Sequence, residues 1–177
     1  MQVLSRQRGV SLIEVMMAVL IFSIGLIGLA SLMVMATRSN HAAYLRTQVV
    51  FLANNMASRM SANPAGVWQG DYNKTYPVAA ASVGCASGAA CDTADLAAHD
   101  QQMWSSQLRT FLPNVSATIA CTGVGGSGYD PTSQLNFRPP YGGNCKMQIS
   151  WTEISAGNQA TQEAGATPQT FAWEFQP

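Results

Sequence analysis

Residues 9–37, G-V-S-L-I-E-V-M-M-A-V-L-I-F-S-I-G-L-I-G-L-A-S-L-M-V-M-A-T, carry one charge, Glu14. Residues 10–37 number 28 (37 − 9), and at helical rise they make a rod of roughly 42 Å, longer than the ~30 Å hydrocarbon core of a bilayer. Arg6 and Arg8 precede the stretch and no acidic residue occurs before Glu14. The positive-inside rule therefore predicts a cytoplasmic N-terminus, a membrane helix over 10–37 and export of everything from residue 38 onward.

Glu14 lies four residues into this run, where an unpaired carboxylate costs on the order of 2.5–3.5 kcal/mol near a helix centre. Either it sits shallow, among the headgroups, or it has a partner. An ordinary secretory signal has a shorter apolar core ahead of a small-x-small site, and Val34-Met35-Ala36 has that form. The run is too long for such a signal and contains Glu14. A plain single-pass anchor accounts for the length but not for Gly9-Val10-Ser11-Leu12-Ile13-Glu14 directly after a short basic leader.

That junction resembles the class III signal of type IV prepilins and pseudopilins. The resemblance implies that prepilin peptidase cuts between Gly9 and Val10 on the cytoplasmic side and N-methylates Val10. Residues 1–9 are then a leader, and Glu14 becomes the fifth residue of the mature chain. The new α-amino group, with an ordinary pKa of about 7.7–8.0, is mostly protonated at neutral pH. In low dielectric it attracts a carboxylate far more strongly than in water, so the family's pairing of Glu14 with a neighbouring subunit's terminus would help set register. Val10 stands where most members have Phe.

The chain of 177 residues fits one soluble domain plus an anchor. Its 9 basic residues balance its 9 acidic ones, and loss of Arg6 and Arg8 with the leader leaves 7 − 9, or −2. A nucleic-acid binder held by a basic surface is therefore not expected. All four cysteines, Cys85, Cys91, Cys121 and Cys145, lie in the exported part, where an oxidising compartment pairs them. Of the three connectivities, Cys85–Cys91 and Cys121–Cys145 are favoured: the first closes a small loop, and the second ties two later segments across a Gly-rich excursion. Neither the cysteine spacing nor His41 and His99 has the form of a zinc site, so no metal and no cofactor are expected.

No proline occurs before Pro64, so the membrane helix is predicted to continue through an amphipathic half, 38–61. Leu45, Val49, Leu52, Met56 and Met60 recur at the spacing of one buried face, with Arg38, Arg46 and Arg59 solvated. Pro64 and Gly66 end the run. Gly25, Gly28 and Ala30 admit two readings, close helix packing in the membrane or a weak point where the helix extends within a filament. Residues 62–91 show no period and read as an extended loop holding Trp68, Tyr72 and Tyr76. Asp71 and Asn73 read as a turn, not a calcium site.

Asp92 or Thr93 caps a second helix ending before Pro113, with Leu96, Met103 or Trp104, Leu108 and Leu112 on its apolar side. Alternation over 115–121 and 146–154 and the aromatic segment 170–175 predict strands, with 135–138 as a possible fourth. The glycine-rich segment 123–128 lacks the Lys-Ser/Thr of a phosphate loop and reads as a hairpin connection. The expected fold class is α+β: a long N-terminal helix packed on an antiparallel sheet in an exported head, 62–177. That is the pilin fold the junction's resemblance implies.

The string over 11–32 is similar to the PilV group of minor type IV pilins, as are, more loosely, the Trp-containing helix ending in Leu-Pro and the strand bearing I-S-W-T-E. The resemblance implies a low-abundance pilin that joins other minor pilins and the major pilin in a complex priming assembly and sitting at the tip, supporting attachment and twitching motility. A minor pseudopilin of type II secretion, the I-type component, shares leader and helix but usually has a smaller head without this cysteine set. From another class, a single-pass anchored binding protein or enzyme remains; no Ser/His/Asp, Cys/His or paired-carboxylate pattern supports an enzyme.

Overall fold

The computed structural model describes residues 9–80, 85, 91–123, 131–154 and 166–177. One helix, α1 (Leu12–Ala62), runs unbroken for 51 residues. No proline interrupts its hydrogen-bond ladder, and residues 11–37 are dominated by apolar side chains that tolerate helix throughout. Its two halves differ in surroundings. Every residue from 9 to 37 is exposed, whereas Leu45, Val49, Leu52, Met56 and Met60 are buried together with Ala53 and Ala57. Burial of such side chains stabilises the head by about 1.5–3 kcal/mol each.

Helix α1 ends at Ala62, and Pro64 does more than stop it. Proline at the first helical position begins a short helix, α2 (Pro64–Trp68), because its fixed φ suits a helix start where its missing N–H is not needed. Asn63 joins the two: its side chain accepts from the Gly66 N–H at 3.3 Å and donates to the Thr93 carbonyl at 2.8 Å. A turn at Gly70, with φ of 77°, leads into a two-residue strand, β1 (Thr75–Tyr76). The stretch expected to be an extended loop therefore contains a helix and a strand. Both are too short to show a period.

Helix α3 (Thr93–Phe111) is capped by Asp92, whose side chain accepts from the Asp95 N–H at 2.7 Å. Trp104, Leu108 and Leu112 are buried; Met103 is 44% exposed, so of the two adjacent candidates it is Trp104 that enters the core. Strands β2 (Ser116–Thr122), β3 (Asn144–Ile154) and β4 (Ala166–Phe175) then form with β1 an antiparallel sheet of order β1-β2-β3-β4. Period-two alternation puts Cys145, Met147, Ile149 and Trp151 against the helices and Lys146 and Gln148 outside. Residues 135–137, expected within a strand, belong instead to a 3-10 turn, Thr132–Phe137, followed by Arg138 at a left-handed φ of 50°. Of the hairpin connection, Gly123 alone is described.

The architecture is α+β: a long helix laid on a four-stranded antiparallel sheet, with α3 beside it, as the pilin resemblance implies.

Candidate functional site

The site is built on the free half of α1. Ser11 is its N-cap residue, in extended conformation at φ −74° and ψ 142°. The Glu14 N–H donates to the Ser11 carbonyl at 3.0 Å and that of Val15 to the same oxygen at 3.3 Å, which starts the helix. Gly9 and Val10 precede it and are exposed, Val10 by 71%, so the peptide bond between them is open to an enzyme. Glu14 stands in the first turn, where the helix N-terminus favours a negative charge.

The polar groups of this arm separate into two kinds. Ser23 Oγ donates to the Val19 carbonyl at 2.7 Å, Ser31 Oγ to Ile27 at 3.0 Å and Thr37 Oγ1 to Val34 at 2.9 Å. These hydroxyls are satisfied within the helix and enter an apolar medium at little cost. The Glu14 carboxylate has no hydrogen-bond or ion-pair partner among the described residues, so in an apolar medium it needs a donor from elsewhere. Gly25 and Gly28 face open space: apart from the backbone of their own helical turns and their chain neighbours, no atom of the described residues lies within 4 Å of where a Cβ would stand. The arm is thus an apolar rod, exposed along its length among the described residues, with one charge near its tip.

Residues 4–30 match the prokaryotic N-terminal methylation motif. No curated protein and no solved structure matches the chain. The motif spans the end of the leader, the Gly9–Val10 junction, Glu14 and the first part of α1, so the chain carries a class III prepilin signal. This signal supports a prepilin-processed protein of pilin or pseudopilin type. The motif implies processing by prepilin peptidase and assembly with other pilins, and together with the exposed apolar helix it accords with membrane anchoring.

The head holds this arm through a buried polar network far apart in sequence. Arg59 Nη1 lies 2.7 Å from Asp100 Oδ1, and Tyr72 Oη donates to Asp100 Oδ2 at 3.0 Å. Asn63 Nδ2 donates to Tyr72 Oη at 3.2 Å, and Tyr76 Oη to the Tyr72 carbonyl at 2.9 Å. Burial raises the pKa of both Tyr72 and Tyr76, with the Asp100 charge adding to each. The Trp104 indole N–H donates to the Leu52 carbonyl at 2.9 Å, fastening α3 to α1. Of the arginines expected on the solvated side, Arg59 is spoken for by buried Asp100, and Arg46 reaches Glu153 at 3.2 Å; only its own end is exposed. A carboxylate from another element drew each toward the head, and nothing local signals that.

Cys121 and Cys145 are directly opposed in the β2–β3 register and are bonded. Cys85 is bonded to Cys91, Cα to Cα 5.2 Å, one residue before the α3 cap. Among the described residues no His, Cys, Asp or Glu cluster could hold a metal ion.

Proposed function

We propose that this protein is a minor type IV pilin. Prepilin peptidase cuts it between Gly9 and Val10 and methylates Val10. It then stands in the inner membrane with its N-terminus cytoplasmic and its head periplasmic, and joins other minor pilins and the major pilin in the complex that starts assembly and occupies the pilus tip. It acts by assembly and not by catalysis, and binds no nucleic acid. Its contribution to the cell is surface attachment and twitching motility.

The observation that carries this reading is the Glu14 carboxylate, without a partner among the described residues in an arm where Ser23, Ser31 and Thr37 are satisfied within the helix. A neighbour's methylated amine supplies the missing partner in a staggered assembly. The PilV-like string over 11–32 and the two disulfides of the head favour the pilus over the secretion system.

Intact-mass and N-terminal analysis of the membrane-extracted protein tests the processing, with a chain starting at methylated Val10 as the expected result. A terminus at Thr37, or an uncut Met1, would overturn it. Deletion of the gene tests the role: loss of surface pili is expected, whereas normal piliation with impaired protein secretion would establish the pseudopilin instead.

A further inference from the structure

Strand β4 is the edge of the sheet beyond β3. In an antiparallel sheet the N–H and C=O of successive residues point alternately to the two sides of the strand. On β2 the Ile119 N–H donates to the Lys74 carbonyl beside β1 and the Cys121 N–H to Asn73 Oδ1. Thr118 and Ala120 therefore turn their backbone groups the other way, to Gln148 and Lys146 on β3. Cys145, Met147 and Ile149 then turn toward β4, where they meet Phe175, Trp173 and Phe171. One step out of phase, Thr170, Ala172 and Glu174 point their N–H and C=O groups away from the sheet. The hydroxyls of Ser150 and Thr170, 3.1 Å apart, agree with this phase, since opposite residues that exchange no backbone bonds lie closer together. None of these outward groups has a hydrogen-bond partner among the described residues.

The usual protections of such an edge are missing from it. Residues 169–175, Q-T-F-A-W-E-F, contain no lysine and no proline, and Pro168 marks where the open stretch ends. On the inner face Phe171, Trp173 and Phe175 pack on the core yet are only partly buried. On the outer face Glu174 is 69% exposed and reaches Lys146 only at 3.9 Å.

We propose that β4 binds an extended segment of an exported partner protein, which adds to the sheet as a further strand antiparallel to β4. Open donors and acceptors in a row call for another extended backbone, because a helix spends its own N–H and C=O groups internally. The two faces fix the pattern of that segment. Apolar residues at alternate positions complete the cover of Trp173 and Phe175, and the residues between them are polar, with Lys or Arg opposite Glu174.

A second copy of this chain does not fit. Arg46 ties the arm-side part of α1 to Glu153, near the end of β3, whereas Trp68, just past the other end of α1, packs on Tyr141. The Tyr141 hydroxyl donates to the carbonyl of Thr122, which pairs with Asn144 at the start of β3. Helix α1 thus runs antiparallel to β3 and parallel to β4. Two copies paired antiparallel through β4 would point their arms in opposite directions, which one membrane does not allow. A copy standing the same way up presents an antiparallel strand only from β1, two residues long. This exclusion alone rests on the anchoring read above.

The test is photo-crosslinking of the full chain in its own host, with benzoylphenylalanine in place of Thr170 and, as control, of Ser116, exposed on the same face two strands away. The expected result is an adduct from position 170 that maps by peptide analysis to a segment of alternating apolar and polar residues in another exported protein. It should be several-fold more abundant than from position 116. Ala172→Pro removes one outward N–H and no bond to β3, so it should lower the yield several-fold while the thermal unfolding midpoint of the head stays near the parent's. Glu174→Arg leaves every backbone group in place and should lower it too; if Ala172→Pro lowers the midpoint, Glu174→Arg alone decides. Adducts on a helix, on another copy of this chain or on lipid alone, equal yield from both positions, no adduct, or a yield unchanged in a variant that folds as the parent does overturn the proposal. The mature N-terminus is read in the same sample. An uncut chain with the adduct overturns the pilin reading alone, and a chain cut at Val10 without it overturns the strand addition alone.

Discussion

Glu14 and Asp100 are both carboxylates in apolar surroundings, and their partners separate their roles. Asp100 is met within its own chain by Arg59 and Tyr72, so its removal is a matter of stability. Asp100→Ala leaves a half-buried guanidinium and a buried phenol without their acceptor, and hydrogen bonds to charged groups contribute about 1.5–3 kcal/mol each. A loss of about 2–4 kcal/mol is expected in denaturant titration of the detergent-solubilised chain. Glu14→Gln keeps shape and hydrogen bonding and deletes the charge. This variant should be exported, cleaved and folded as the parent is, yet fail to co-purify with other pilins and reduce piliation; normal piliation with cleavage confirmed would reduce Glu14 to a tolerated headgroup residue. Tyr72 and Tyr76 add a pH dependence. The unfolded chain ionises these phenols near their ordinary value of about 10, and burial in the folded chain withholds that ionisation to higher pH. The unfolded state then binds fewer protons, so the stability they contribute is complete below about pH 10 and is lost as pH rises beyond it. Denaturation midpoints should fall above about pH 10, and less steeply in Tyr72→Phe.

The elements were legible to the degree that each carries its own period. Helix α1 is a contiguous run followed by a 3.6-residue face, and its observed end, Ala62, lies one residue past the end expected for it. Helix α3 has its cap at Asp92 and its stop before Pro113. Strands β2, β3 and β4 alternate. Strand β1, helix α2 and the 3-10 turn were not legible, because two to six residues hold no repeat and their shapes come from neighbours: Ile119 donates to the Lys74 carbonyl beside β1, and Asn63 caps α2. Close approach at element ends gives a prediction of its own. A Cβ on Gly143 would collide with the Thr122 carbonyl and come within 2.9 Å of Tyr141 Oη, both fixed beside the Cys121–Cys145 bridge. Gly143→Ala should therefore destabilise the head by about 1–3 kcal/mol, measured by thermal unfolding, since backbone cannot yield as a flexible side chain does.

At the scale of the molecule, a free apolar arm is carried by a head whose parts are fastened across long sequence separations. The bridge between Cys121 and Cys145 spans 24 residues and that between Cys85 and Cys91 spans 6. In the chain-entropy account the longer loop contributes about 3.5 kcal/mol and the shorter about 2.3. Replacing Cys121 and Cys145 together by alanine should lower the unfolding temperature more than replacing Cys85 and Cys91 together, and reductant should abolish the difference between parent and double variants. Equal unfolding of all forms without reductant would show that neither bridge constrains the unfolded chain.

The apolar arm, its basic leader, the Gly9–Val10 junction and the single carboxylate at Glu14 were determined by the sequence alone. Each is a property of contiguous residues, and so are the 3.6- and two-residue periods of the longer elements. The tertiary structure decided that Trp104 and not Met103 enters the core, that Arg59 and Arg46 are held by Asp100 and Glu153, and that Tyr72 and Tyr76 are buried. Arg59 and Asp100 are 41 residues apart and Arg46 and Glu153 are 107 apart. The free energy of such a contact depends on the burial and the partner that each group meets after the chain has closed, and no local pattern carries either quantity.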